Sequence, residues 1–229
     1  MFAFALRHGF VGLLIACATL ASSPASESKP ERKTIVVLGD SITAGFGLDR
    51  SEAYPALLQK RVDAAGLSFE VVNAGVSGDT TASGLRRIDW LMKRRMDVLV
   101  VELGGNDGLR GIMPETTKAN LTGIIRKARE KNPAMKIVLA GMQMPPNMGE
   151  EYGEKFRKVF PEVAKECNVA LIPFVLEGVG GVPELNQPDG VHPTAKGQEI
   201  VAENVWKVLK PVLNSSSQKA NNALILPQL

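Results

Sequence analysis

The chain has 229 residues, 45% of them hydrophobic and 22% charged, with a formal net charge of +3. That suits one globular domain with a full core. The charge is too small and too evenly spread for a nucleic-acid partner.

The elements, taken in chain order, begin with a segment that is not fold. Arg7 precedes the apolar run from Gly9 to Ala21, and small residues follow at positions 21 to 25. This reads as a secretory signal peptide over residues 1–25, too short and wrongly flanked for a stable transmembrane helix. The protein is therefore expected to be exported, periplasmic or secreted. Leu14-Ile15-Ala16-Cys17 also resembles a bacterial lipobox, in which Cys17 would be lipidated; membrane attachment is expected only by that route. Once a signal is removed, Cys167 is the single cysteine and His192 the single histidine. No intrachain disulfide is then available, and no Cys/His metal site. Cys167 reads as a small apolar group on a helix.

Residues 26–33 are polar, contain Pro30 and read as a linker. A single domain follows over residues 34–213. Thr34-Ile35-Val36-Val37-Leu38 is a β-branched run, hence a buried strand. Residues 53–65 carry apolar side chains at helical spacing and stop at Gly66. Residues 69–73 form a second strand and 80–95 a helix, with Leu85, Ile88, Leu91 and Met92 on one face. Arg86, Arg87, Lys93, Arg94 and Arg95 read as its solvated face. Residues 97–103 are a third strand, apolar enough for burial on both sides. A helix over 114–131 starts at Pro114. Residues 136–140 are a fourth strand, 151–168 a helix broken or kinked near Pro161, 169–172 a fifth strand and 194–213 the last helix. Residues 214–229 read as a flexible tail.

Strands alternating with helices of this length predict βαβ units and a mostly parallel sheet. The fold class is α/β: three layers, α/β/α, five strands, in the flavodoxin-like order 2-1-3-4-5 with helices on both faces.

Each of the first three strands is followed at once by a glycine-rich polar cluster: Gly39-Asp40-Ser41, then Gly75-Val76-Ser77-Gly78-Asp79-Thr80, then Gly104-Gly105-Asn106-Asp107-Gly108. Carboxyl ends of parallel strands share one edge, so these clusters should converge. Asp189-Gly190-Val191-His192-Pro193 comes just before the last helix. Three residues separate Asp189 from His192, a spacing that lets the carboxylate accept from the imidazole and leave the other ring nitrogen free as a base. If a Ser–His pair transfers an acyl group here, the pair is Ser41 and His192. Candidate donors to a developing oxyanion are the N–H of Ser41, the N–H of Gly78 and the amide of Asn106. No Gly-x-Ser-x-Gly elbow is present, against an α/β-hydrolase.

At these residues the sequence resembles the SGNH, or GDSL, hydrolase superfamily, and within it the bacterial thioesterase, lysophospholipase and arylesterase group. Its four signature residues match in order at Ser41, Gly78, Asn106 and His192. The resemblance runs from about Thr34 to Leu213; Gly178-Val-Gly-Gly-Val-Pro183 and the tail depart from it. It implies an SGNH fold and a serine ester hydrolase that forms an acyl-enzyme on Ser41. Asp189 would orient His192, and Ser41, Gly78 and Asn106 would form the oxyanion hole. No metal or other cofactor is implied. Its partners would be small-molecule acyl esters, thioesters or lysophospholipids. Leu109, Ile112 and Met113, with Met142, Met144, Pro145 and Pro146 after the fourth strand, are expected to line an acyl groove. Two other readings use the same loops: a carbohydrate O-deacetylase, and a non-catalytic flavodoxin-like anion-binding module.

Overall fold

Parallel pairing carries the chain's chemistry to one edge. In the computed structural model, which describes residues 32–224, five strands run in the order β2-β1-β3-β4-β5, every pair parallel. They are β1 (Lys33–Gly39), β2 (Phe69–Gly75), β3 (Val98–Glu102), β4 (Lys136–Ala140) and β5 (Ala170–Ile172). This is the α/β sheet, in the order read from the sequence. The signal segment and Cys17 lie outside the described residues. Among those residues, no helix is long and apolar enough to cross a membrane.

Consecutive residues of β1 and β3 point to opposite sides of the sheet, yet Ile35 through Leu38 and Val98 through Val101 are all buried. Both faces must therefore be covered. The cover comes from α2 (Tyr54–Ala64), α3 (Thr81–Leu91), α5 (Pro114–Lys131), α6 (Glu150–Glu166) and α7 (Ala195–Leu224), with α3 on α5, α5 on α6 and α2 on α7. Two short helices, α1 (Ser41–Ala44) and α4 (Gly105–Leu109), follow β1 and β3 directly.

Several elements differ from their sequence reading. The helix after β2 stops at Leu91 instead of reaching Arg95, because turn-type bonds from Lys93 to Trp90 and Arg94 to Leu91 close it. Residues 105–109 are a helix, not a loop. Asp107 is fully buried there and accepts from the N–H of Thr81 at 2.8 Å and the hydroxyl of Thr117 at 3.3 Å, so tertiary bonds override the glycines' preference for a turn. α6 runs unbroken through Pro161. That proline is exposed, so the carbonyl it leaves unpaired faces water. α7 continues past Leu213 to Leu224, through a stretch that contains no glycine or proline to stop it.

Register completes the picture. Gly39 lies beside Gly75 on β2 and beside Glu102 on β3. The three strands thus end level, and the three glycine-rich clusters leave from one edge.

Candidate active site

Ser41 opens α1 at the end of β1. Asp40 caps that helix, its Oδ1 accepting from the N–H of Ile42 at 3.0 Å. The capped turn is held from beneath by buried polar groups. Gln198 on α7 donates to the carbonyl of Ile42 at 3.0 Å, and Asn73 on β2 donates to that of Thr43 at 2.8 Å. The Thr43 hydroxyl donates to Glu102 Oε2 at 2.7 Å and lies 2.7 Å from the hydroxyl of Tyr54. With both ends of α1 tied to the sheet and to α7, Ser41 has little freedom to move; it is only 8% exposed.

His192 reaches this serine from a loop on the other side. Its Nε2 is 2.9 Å from Ser41 Oγ and its Nδ1 is 2.7 Å from Asp189 Oδ2. The spacing read from the sequence works as an Asx-type turn. Asp189 Oδ1 accepts the N–H of Val191 at 2.8 Å and of His192 at 3.0 Å, while Oδ2 takes the ring. The His192 N–H, the imidazole and the Val191 N–H together hold the Asp189 carboxyl down to about 2, despite its exposure. It is thus a carboxylate at neutral pH. The ring of Phe46 stands 4.5 Å from that of His192, centroid to centroid, inclined by 37°. Gln187 ties the two loops, donating to the carbonyls of Phe46 at 2.7 Å and of Pro193 at 3.1 Å.

The other signature residues are tied to the serine's turn through the Asn106 amide, which bonds Asp40 on one side and Asp79, next to Gly78, on the other. Gly78 has φ +82°, a left-handed conformation that favours glycine. Asn106 on α4 donates its amide nitrogen to the carbonyl of Asp79 at 3.0 Å and to Asp40 Oδ2 at 3.2 Å. Among the described residues, nothing accepts the N–H of Ser41 or of Gly78. The site therefore has two free backbone donors and one amide whose longer bond is the one to Asp40.

Burial pushes the Asp40 carboxyl up to about 6, with the Ile42 N–H, the Asn106 amide and His192 pulling the other way. Glu102 is raised too, by complete burial and then by the neighbouring Asp40. Because the folded value of Asp40 lies above its ordinary 3.8, the folded chain binds more protons than the unfolded one between about pH 4 and 6. Stability should fall as pH rises through that window, by roughly 2 kcal/mol. Asp40→Asn keeps the cap and should flatten the profile. Urea unfolding at intervals from pH 4 to 7 tests this; an unchanged slope in the variant would assign the effect to another group.

An apolar cavity of about 370 Å³ opens next to the serine, lined by Ile42, Leu109, Met142, Met144, Pro145, Pro146, Phe174, Leu176 and Val191. Leu109, Met144 and Pro145 are among these lining residues. Ile112 is not. Its N–H donates to Asp107 and its carbonyl accepts from Tyr152, which turns that segment toward α6. Met113 also stays outside, 65% exposed. The wall made by Phe174 and Leu176 was not read from the sequence, although its signal was present: an apolar segment directly after the fifth strand must leave from the same edge. Phe46, five residues past the serine, was missed as well. Arg87 is not on a solvated face. It turns inward to Asp79 and Gly39, whereas Arg86 stays exposed. Among the described residues, no group of three or more His, Cys, Asp or Glu is arranged to hold a metal.

This fold and the four blocks gathered at its edge define a class, the ester hydrolases of SGNH type. The chain belongs to the GDSL-like Lipase/Acylhydrolase family, which matches residues 37–200. It is 49% identical to Esterase TesA of Pseudomonas aeruginosa, over 79% of this chain and 90% of that one. It is 40% identical to Thioesterase 1/protease 1/lysophospholipase L1 of Escherichia coli, over 80% of this chain and 86% of the relative. The crystal structure of TesA superposes with a TM-score of 0.76, covering 78% of this chain and 99% of that one at 48% identity.

Proposed function

We propose that the protein is an exported serine esterase in which Ser41, His192 and Asp189 perform acyl transfer. The observation that carries this reading is the continuous hydrogen-bond chain from Ser41 Oγ through His192 to Asp189, at 2.9 and 2.7 Å. Ser41 Oγ attacks the acyl carbonyl and its proton passes to His192 Nε2. The charge that forms on the carbonyl oxygen is met by the N–H groups of Ser41 and Gly78 and by the Asn106 amide. The bond to the leaving group then breaks, and His192 returns the proton to the departing alcohol or thiol. Water, deprotonated by the same nitrogen, hydrolyses the acyl-enzyme. Asp189 holds the tautomer and faces the imidazolium. Export is supported by Arg7 and the apolar run after it.

Carboxylic esters are the core substrates. Thioesters and lysophospholipids follow from the names of the relatives and from the apolar cavity, in which Met144 and Leu109 would meet the acyl chain. Met144 presses on α4: a methyl group on Gly108 would overlap its sulfur.

The test is hydrolysis of p-nitrophenyl esters from acetate to palmitate. Turnover should rise beyond acetate, and Met144→Trp should shift the optimum to shorter chains by several-fold in kcat/KM, as a filled pocket requires. Strict preference for acetate would favour a deacetylase. A chain-length profile untouched by Met144→Trp would remove Met144 from the groove.

A further inference from the structure

One guanidinium binds to both the nucleophile strand and the Gly78–Asp79 loop. Arg87 lies nearly two turns into α3, and helical side chains lean toward the amino terminus, whose cap, Thr80, follows Asp79. Its Nε donates to Asp79 Oδ2 at 2.6 Å and its Nη2 to the carbonyl of Gly39 at 2.9 Å. That carbonyl also accepts the N–H of Val76, at 3.0 Å. The carbonyl of Asp79 in turn holds the Asn106 amide, at 3.0 Å.

Each proposed oxyanion donor is therefore one or two links from Arg87. Ser41 is two residues beyond Gly39, Gly78 immediately precedes Asp79, and Asn106 is bonded to Asp79. A planar fork with fixed donor directions sets the spacing between its two acceptors in a way that a flexible ammonium does not.

We infer that Arg87 is a positioning residue that keeps the nucleophile turn and the oxyanion loop in register. The inference rests on the acyl-transfer reading above. The pair keeps some contact with water, 21% for the Arg87 side chain and 13% for Asp79, so the Asp79 carboxylate can hydrate when the guanidinium is removed. Its loss should therefore register in catalysis far more than in melting temperature.

Arg87→Met keeps the apolar stem and removes the fork. With p-nitrophenyl butyrate, kcat should fall by about 10- to 100-fold while KM stays within about threefold, because the lost alignment serves the transition state. The inhibition constant of phenylboronic acid, whose adduct on Ser41 is a tetrahedral anion, should rise by a similar factor. Arg87→Lys should recover part of both, since its ammonium reaches one acceptor. A folded Arg87→Met with kcat within about threefold of the parent overturns the inference. So does a kcat loss that leaves boronate binding unchanged. If Arg87→Met does not fold, Arg87→Lys and Asp79→Asn carry the same comparison, and parental kcat and boronate affinity in both would overturn it. An unsubstituted protein that hydrolyses no ester, or a Ser41→Ala variant as active as the parent, would instead overturn the acyl-transfer reading.

Discussion

Ser41→Ala should lower kcat on p-nitrophenyl butyrate by about 10⁴- to 10⁶-fold, and His192→Ala by a similar factor. The double variant should be no slower than either single one. The two groups act as a unit: without Oγ there is nothing for His192 to deprotonate, and without the imidazole the hydroxyl keeps its proton. What remains in each variant is binding and oxyanion stabilisation, which neither substitution removes. KM should change little, because a serine hydroxyl adds almost nothing to acyl-chain burial. Active-site titration with a phosphonate ester should label the parent stoichiometrically and leave Ser41→Ala unlabelled. Factors that multiply in the double variant would mean that the two side chains act independently, and the 2.9 Å contact between them would then have no mechanistic role.

The second large effect is expected at a residue that touches no substrate. A methyl group on Gly75 would overlap the backbone nitrogen of Ala44 and come within 2.8 Å of the Ala44 Cα and the Thr43 carbonyl carbon. Backbone cannot swing aside as a side chain can. Gly75→Ala must therefore push α1 off the end of β2, at a cost of about 3 kcal/mol. Ser41 opens that helix, so the shift moves the nucleophile. A displacement near 1 Å lowers turnover by about 100-fold. Both losses should appear together, in thermal unfolding and in kcat. Gly66→Ala is the control: its methyl would meet nothing within 4 Å, although φ is +67°. It should show modest strain in stability and normal turnover. Parental activity in Gly75→Ala would mean that the sheet edge absorbs the methyl elsewhere.

Three residues of the site that were legible in the sequence share one property: each stands in a short segment directly after a strand. Ser41, Gly78 and Asn106 follow β1, β2 and β3 within a few positions, and parallel strands bring such segments together regardless of the rest of the fold. His192 was identified by exclusion and by its spacing from Asp189. Arg87 was hidden because its helix face carries other cations; whether it meets water or Asp79 depends on how the preceding loop folds back, which no local pattern encodes. α4 was hidden for a related reason. Its glycines favour a turn, and the bonds that Asp107 makes to α3 and α5 help keep it helical. Ile112 is kept out of the cavity wall because the Tyr152 hydroxyl, 40 positions along the chain, donates to its carbonyl at 2.7 Å.

The bond between Asn106 and Asp40 bears on what happens after the reaction. Above about pH 6 Asp40 carries a charge, and at rest it occupies the amide hydrogen that the proposed oxyanion would receive. A fatty-acid product is a permanent anion. To lodge with its carboxylate in the hole, it would have to displace Asp40 from that amide and sit beside a like charge. A neutral ester meets neither obstacle until charge develops on its carbonyl oxygen. The arrangement therefore disfavours the finished acid relative to the incoming ester, so spent acyl chains should clear the site and turnover should persist as free acid accumulates.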